Sequence, residues 1–108
     1  MIEFNGKEIK IGDRKIELGY LIKKVLEFNK IIVVLFYDNE IVPNNVVAFD
    51  YEGNQIWEVN DILNIKKPTG NVDIKKISEN MLGVCSDLSI EYHIDVNKHE
   101  LVNKTYLR

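Results

Sequence analysis

Residues 89–96 alternate more cleanly than any other stretch. Ile90, Tyr92, Ile94 and Val96 fall on one face of an extended chain, and Glu91, His93 and Asp95 on the other. That pattern predicts a half-buried antiparallel strand. Residues 97–100 then read as a turn and 101–107 as the returning strand. Residues 31–37 (IIVVLFY) follow a different rule. Seven consecutive apolar, largely β-branched residues between Asn29-Lys30 and Asp38-Asn39 predict a central strand covered on both faces. Asn5-Gly6 is a strong short turn signal and predicts a hairpin over residues 2–11, broken at Gly12-Asp13. Residues 22–28 read as a strand turning at Asn29-Lys30, with a short helix as the alternative. Pro43 and Asn44-Asn45 mark a loop. Residues 46–50 and 55–59 form a second hairpin around Tyr51-Glu52-Gly53-Asn54, where Gly53 can supply a left-handed conformation.

Two segments are ambiguous. Residues 60–67 can hold one helical turn capped by Asn60 or Asp61. Ile74, Ile77 and Met81 keep helical spacing, but Ser78-Glu79-Asn80 reads better as a turn between two short strands. The predicted fold is one all-β domain over residues 1–108. It is an antiparallel sandwich or curved meander of about eight or nine strands built from hairpins, with little helix. Its expected core includes Val33, Leu35, Phe49, Trp57, Ile94 and Val96.

Composition supports that reading. The 108 residues include one Ala against 15 Ile and 11 Val, a bias away from the best helix former and toward β-branched residues. Asn, Ile and Lys make up 39 residues, the mark of AT-rich bacterial coding. Apolar residues at 45% and charged residues at 29% place the chain among globular proteins. The net charge of −3 argues against a phosphate-backbone partner, which needs clustered Lys and Arg. No apolar run approaches the ~20 residues of a membrane-spanning helix, and the start MIEFNGKEIK lacks the apolar stretch of a signal peptide. A cytoplasmic protein is the expectation, with neither nucleic acid nor membrane as partner.

Candidate chemistry is sparse. Cys85 is the single cysteine. It could be a nucleophile if His93 or His99 served as base, or a small buried hydrophobe. Glu91, His93 and Asp95 share a strand face and could form an acid/base or metal patch, or a solvated polar face; zinc would need further ligands. No phosphate-cradling glycine loop or dinucleotide fingerprint is present, so no cofactor is expected. Tyr37 and Tyr51 sit at predicted strand ends beside Asp38 and Glu52, where large aromatics could anchor a partner.

The segment VVAFDYEGNQIWEV (46–59) resembles one repeat of the quinoprotein-type β-propellers, with an apolar strand ending in Asp, a Gly turn and a strand carrying Trp. IEYHIDVNKHELVNKTYL (90–107) resembles a degenerate second copy. Two such units cannot close a propeller, which needs four or more blades. The resemblance therefore implies hairpin architecture and a packing role for Trp57, and no cofactor site. The whole layout (IIVVLFYD, NVVAFDYEGNQIWEV, IEYHID) is similar to the small β-rich acidic immunity proteins of bacterial polymorphic and contact-dependent toxin systems. That likeness implies a non-enzymatic protein whose partner is a cationic toxin domain. The expected contacts are Tyr37, Asp38, Glu40, Asp50, Tyr51, Glu52, Glu91, His93 and Asp95. The alternatives are a small enzyme using Cys85 or His93, and a homodimer joined through sheet edges.

Overall fold

The computed structural model describes residues 2–37, 44–66 and 69–107. They form eleven strands, more than the eight or nine expected: β1 (Ile2–Asn5), β2 (Glu8–Ile11), β3 (Arg14–Glu17), β4 (Ile22–Glu27), β5 (Ile32–Phe36), β6 (Val46–Phe49), β7 (Gln55–Glu58), β8 (Asn71–Lys76), β9 (Met81–Ser86), β10 (Ile90–Asp95) and β11 (Glu100–Tyr106). One short helix, α1 (Val59–Leu63), follows β7. All strand pairs are antiparallel between sequence neighbours, giving three meanders: β1-β2-β3, β4-β5-β6-β7 and β8-β9-β10-β11.

The strand that falls in none of the predicted segments is β3. Its sequence, RKIE, has a single apolar side chain, Ile16, so periodicity hardly signals it. It forms because a tight turn at Gly12-Asp13 folds it onto β2, with Ile9 opposite Ile16. Gly12 sits at φ +60°, in the left-handed region that glycine enters without steric cost. The first hairpin differs by one residue from expectation. Asn5 pairs with Glu8, so the two turn residues are Gly6-Lys7 rather than Asn5-Gly6. Gly6 at φ +61° takes the first position of the turn, where a II′ hairpin places its glycine.

The three sheets stack face to face, and the middle one is dry on both sides. Val33, Leu35, Val46, Ala48 and Trp57 face the third sheet and pack with Ile74, Leu82, Val84, Tyr92, Ile94 and Val96. Ile32, Val34, Phe36, Val47 and Phe49 face the first sheet and pack with Ile9 and Ile22. The unbroken apolar run 31–36 is buried throughout, because its alternate side chains serve two cores. Tyr37, the seventh residue of the predicted strand, is exposed. The ambiguous residues 74–82 are two strands joined by a turn, as preferred.

Polar links hold the middle and third sheets together along the β4/β8 side. Lys23 Nζ donates to the Val72 carbonyl at 2.9 Å, and Lys24 Nζ to the Ile74 carbonyl at 2.6 Å and to Asp73 at 3.0 Å. Lys76 Nζ returns the contact to the Glu27 carbonyl at 3.0 Å. At the β5/β6 end lies a fully buried side chain, Asn45. Its amide donates to the Phe36 carbonyl (2.9 Å) and the Asn71 carbonyl (2.7 Å). Its Oδ1 accepts from the Asn71 backbone N–H (3.1 Å) and side-chain amide (3.0 Å).

The helix is capped two residues before Asn60, the first of the two expected caps. Glu58 is the N-cap, and its N–H donates to the Asp61 carboxylate at 3.2 Å, so Asp61 caps from inside the first turn. Asn64 ends the helix at φ 51°, one of the few non-glycine residue types that enter the left-handed region readily.

Candidate functional site

The outer face of the third sheet collects the titratable side chains that the alternation of 89–96 put on one side. β10 is flanked by β9 and β11, with Glu91 opposite Cys85 and His93 opposite Gly83. Glu91 is the centre. One carboxylate oxygen accepts from Lys75 Nζ at 2.8 Å and faces the Cys85 thiol at 3.5 Å. The other meets Nε2 of His93 at 2.6 Å. Only 8% of the Glu91 side chain is exposed, so this part of the face is not the fully solvated surface the alternation allowed. The cover is one side chain thick, since Lys75 itself remains half exposed.

Lys75 reaches Glu91 from two strands away by crossing β9 at Gly83. A Cβ there would lie 3.1 Å from Lys75 Cγ and 3.1 Å from Ile77 Cδ1. Gly83 is thus an open lane for the lysine stem, not a turn residue. This route is invisible in sequence, because Lys75 and Glu91 are related only by strand pairing.

The cluster sets its own chemistry. The Lys75 ammonium, followed by the His93 hydrogen bond, holds the Glu91 carboxyl down at about 2. The ion pair with Glu91 raises Lys75 in turn. Burial first, then the neighbouring carboxylate, pushes the Cys85 thiol up, away from the thiolate that nucleophilic chemistry requires. Cys85 and His93 are therefore brought together around one carboxylate, but that carboxylate stabilises the neutral thiol. His99 lies elsewhere, with its ring against Trp57 at 6.5 Å between centroids. Asp95 also turns to a local task, accepting from the backbone N–H groups of Asn97 (3.0 Å) and Lys98 (2.9 Å). Among the described residues, no group of three or more His, Cys, Asp or Glu side chains is arranged to hold a metal ion.

Depression of the Glu91 pKa links it to stability with a definite sign. An acid with a lowered folded-state pKa stabilises the fold above its unfolded value, and that contribution fades as pH falls toward the folded one. For Glu91 the window runs from its ordinary 4.5 down to about 2. Glu91→Gln is expected to cost about 1–2 kcal/mol at neutral pH, discounted for the half-exposed lysine, and to flatten the acid limb over that window. Urea titrations at a series of pH values measure both; an unchanged acid limb would show that the bridge contributes nothing.

The other expected contact residues do not join this cluster. Tyr37 lies at the end of β5, 44% exposed, with the Lys23 ammonium 5.9 Å from its ring centroid. Asp38 and Glu40 fall outside the described residues. Asp50, Tyr51 and Glu52 lie at the opposite end of the middle sheet, because β5 and β6 run antiparallel with Ile32 opposite Phe49. There the Asp50 carboxylate accepts from the N–H of Glu52 (2.9 Å), the N–H of Asn54 (2.9 Å) and the Asn54 amide (3.0 Å), which holds its pKa low. The Tyr51 hydroxyl donates to the Phe28 carbonyl, and burial plus the Glu27 charge raise its pKa. Arg14 Nη1 donates to the Glu52 carbonyl at 2.8 Å.

Beside this turn runs an open groove of about 410 Å³ lined by Glu27, Phe28, Asn29, Tyr51, Lys76 and Glu79. The ammonium of Lys76 sits 5.0 Å from the Phe28 ring centroid. Glu27 and Glu79 were not among the expected contacts. Glu27 ends β4 and Glu79 lies in the turn between β8 and β9, and only the stacking of the middle and third sheets brings Glu79 to Tyr51.

The chain belongs to a family described as Domain of unknown function (DUF7957). The match spans residues 1–106 and so takes in all eleven strands. No curated protein and no solved structure matches the chain. Within the family unit, the groove and the Glu91 cluster occupy different surfaces: one at the turn end of the middle sheet, the other on the outer face of the third.

Proposed function

We propose that this protein is a non-enzymatic binding protein, an immunity protein that neutralises a cationic toxin in the bacterial cytoplasm by covering its active site. The observation that carries the reading is the groove at the turn end of the middle sheet. Glu27 and Glu79 line it, Glu52 stands on the adjoining turn, and Tyr51 offers an aromatic wall. The turn is ordered before any partner arrives, because Asp50 binds three donors and Tyr51 is tied to Phe28. Preorganisation of this kind lowers the entropic cost of association. The groove also accommodates an amine of the chain's own, Lys76, against a carbonyl and an aromatic ring. A toxin that acts on nucleic acid must be cationic around its active site. An acidic rim then speeds encounter and suits that surface. The raised Cys85 thiol supports binding over a cysteine-based hydrolase.

The test is co-expression with the protein encoded beside it, scored by growth, followed by binding at low and high salt. The triple charge reversal Glu27→Lys, Glu52→Lys, Glu79→Lys is expected to slow association at least tenfold at low salt, within the range electrostatic steering supplies. It should also abolish protection without unfolding the domain. A harmless neighbour, or no association even at low salt, defeats the reading. Hydrolase activity lost with Cys85→Ala or His93→Ala would move the protein to the enzyme class.

A further inference from the structure

The three sheets expose different edges. β1, β4 and β8 lie side by side, and Lys23, Lys24 and Lys76 bridge β4 and β8, so that flank is covered. The other flank ends in β3, β7 and β11, each the last strand of its sheet. Free edges are templates for pairing with another chain, and natural proteins usually blunt them with shortness or charge. β3 (RKIE) and β7 (QIWE) are only four residues long, β3 with three charged residues and β7 half polar. β11 (ELVNKTY) has seven residues, all exposed, with Leu101 at 41%, Val102 at 56% and Tyr106 at 64%. No described strand pairs with its outer side.

The backbone fixes how β11 could pair. The Leu107 N–H donates to the Ser89 carbonyl at 2.7 Å, and the register continues with Glu91 opposite Thr105 and His93 opposite Asn103. Hydrogen-bonded and non-bonded positions alternate along an antiparallel strand. Asn103 and Thr105 therefore bond to β10, while Lys104 and Tyr106 turn their N–H and C=O groups to the free edge. The bulge falls on Val102, which the register skips between Asn103 opposite His93 and Leu101 opposite Ile94, so the segment open to an outside strand runs from this bulged residue to Tyr106. A two-fold pairing that uses this whole segment is centred on Lys104. It sets Val102 against Tyr106 of the second copy twice, and Asn103 against Thr105 twice. An apolar–aromatic pair and a polar pair, each repeated by symmetry, are favourable cross-strand combinations. The one unfavourable pair is Lys104 against itself, and its ammonium leans 5.6 Å from the Tyr106 ring centroid.

We infer that β11 is a dimerisation edge: two copies of this chain join antiparallel through residues 102–106, with Lys104 on the two-fold axis, into one continuous eight-stranded sheet. The segment is self-complementary, as an isologous interface must be. The like-charged pair at its centre keeps the dimer weak and makes salt strengthen it. This surface does not include the groove, so the inference stands or falls independently of the toxin-binding reading.

Sedimentation equilibrium of the full chain over micromolar to millimolar concentrations tests it. A monomer–dimer equilibrium that tightens with salt is expected. Lys104→Thr should tighten it severalfold by removing the like-charged pair. Val102→Asp with Tyr106→Asp should leave only monomer while the circular dichroism spectrum persists. In a Cys85→Ser background, Lys104→Cys should form an intermolecular disulfide under mild oxidation, since a hydrogen-bonded antiparallel pair places the two Cα atoms about 5.5 Å apart. Asn103→Cys should cross-link far less. A chain that stays monomeric throughout, or a dimer untouched by the double substitution, overturns the proposal. Cross-linking as fast at Asn103 as at Lys104 overturns the register.

Discussion

Asn45→Ala is expected to destabilise the protein by about 3–5 kcal/mol, as much as truncating a large core side chain. The side chain is fully buried between the middle and third sheets, and all four of its hydrogen bonds cross from the β5/β6 end to its own sheet or to Asn71. Removing it takes a partner from two carbonyls and two N–H donors in a dry place. A buried polar group that loses a hydrogen bond costs up to about 1–3 kcal/mol, and remaining partners and partial relaxation keep the total below the simple sum. Asn45→Asp should be at least as damaging despite its matching shape. A carboxylate can still accept from both Asn71 donors, but it turns negative oxygen toward the Phe36 and Asn71 carbonyls. Urea unfolding monitored by Trp57 fluorescence measures both variants. A loss within ~0.5 kcal/mol, the range of surface substitutions, would mean that the Asn45–Asn71 lock does not hold the two sheets together.

Asn45 also shows where sequence stops being informative. In Pro43-Asn44-Asn45 it reads as one more loop asparagine, and nothing local distinguishes it from the exposed Asn29 or Asn97. Its role depends on Asn71, 26 positions away, and that proximity exists only once the third sheet lies on the second. Glu91 behaves the same way. Its face was legible from the alternation of 89–96, but its burial under Lys75 depends on strand pairing and on the missing Cβ of Gly83. What periodicity does carry is the direction of each strand's dry side. Ile90, Tyr92, Ile94 and Val96 all join the core between the second and third sheets, and the unbroken run 32–36 is the strand covered on both faces. β3 was missed for the complementary reason: a short polar strand with one apolar residue has no period to detect. The groove residues Glu27 and Glu79 were illegible because one ends a strand and the other sits in a turn of ordinary composition, and no local signal says that the two will meet.

Trp57 offers the sharpest division between size and polarity in the core. It lies on β7, 4% exposed, packed toward the third sheet with the His99 ring beside it. Trp57→Ala is expected to cost about 3–5 kcal/mol, the range for removing a fully packed large aromatic. The indole carries one polar atom, and Nε1 is buried with no hydrogen-bond partner among the described residues. A buried donor without a partner weakens the folded state, so part of what the large ring contributes is offset by its own N–H. Trp57→Phe removes that donor together with some volume. The relief of the unpaired donor and the cost of the smaller ring act in opposite directions, and the net loss should stay below about 1.5 kcal/mol, as for other conservative apolar exchanges. Both variants are followed by urea unfolding with far-ultraviolet circular dichroism, because the fluorescent probe itself is removed. If Trp57→Phe proves nearly as costly as Trp57→Ala, the indole N–H is hydrogen-bonded in solution, and the position is held by that bond rather than by filling space between β7 and the third sheet.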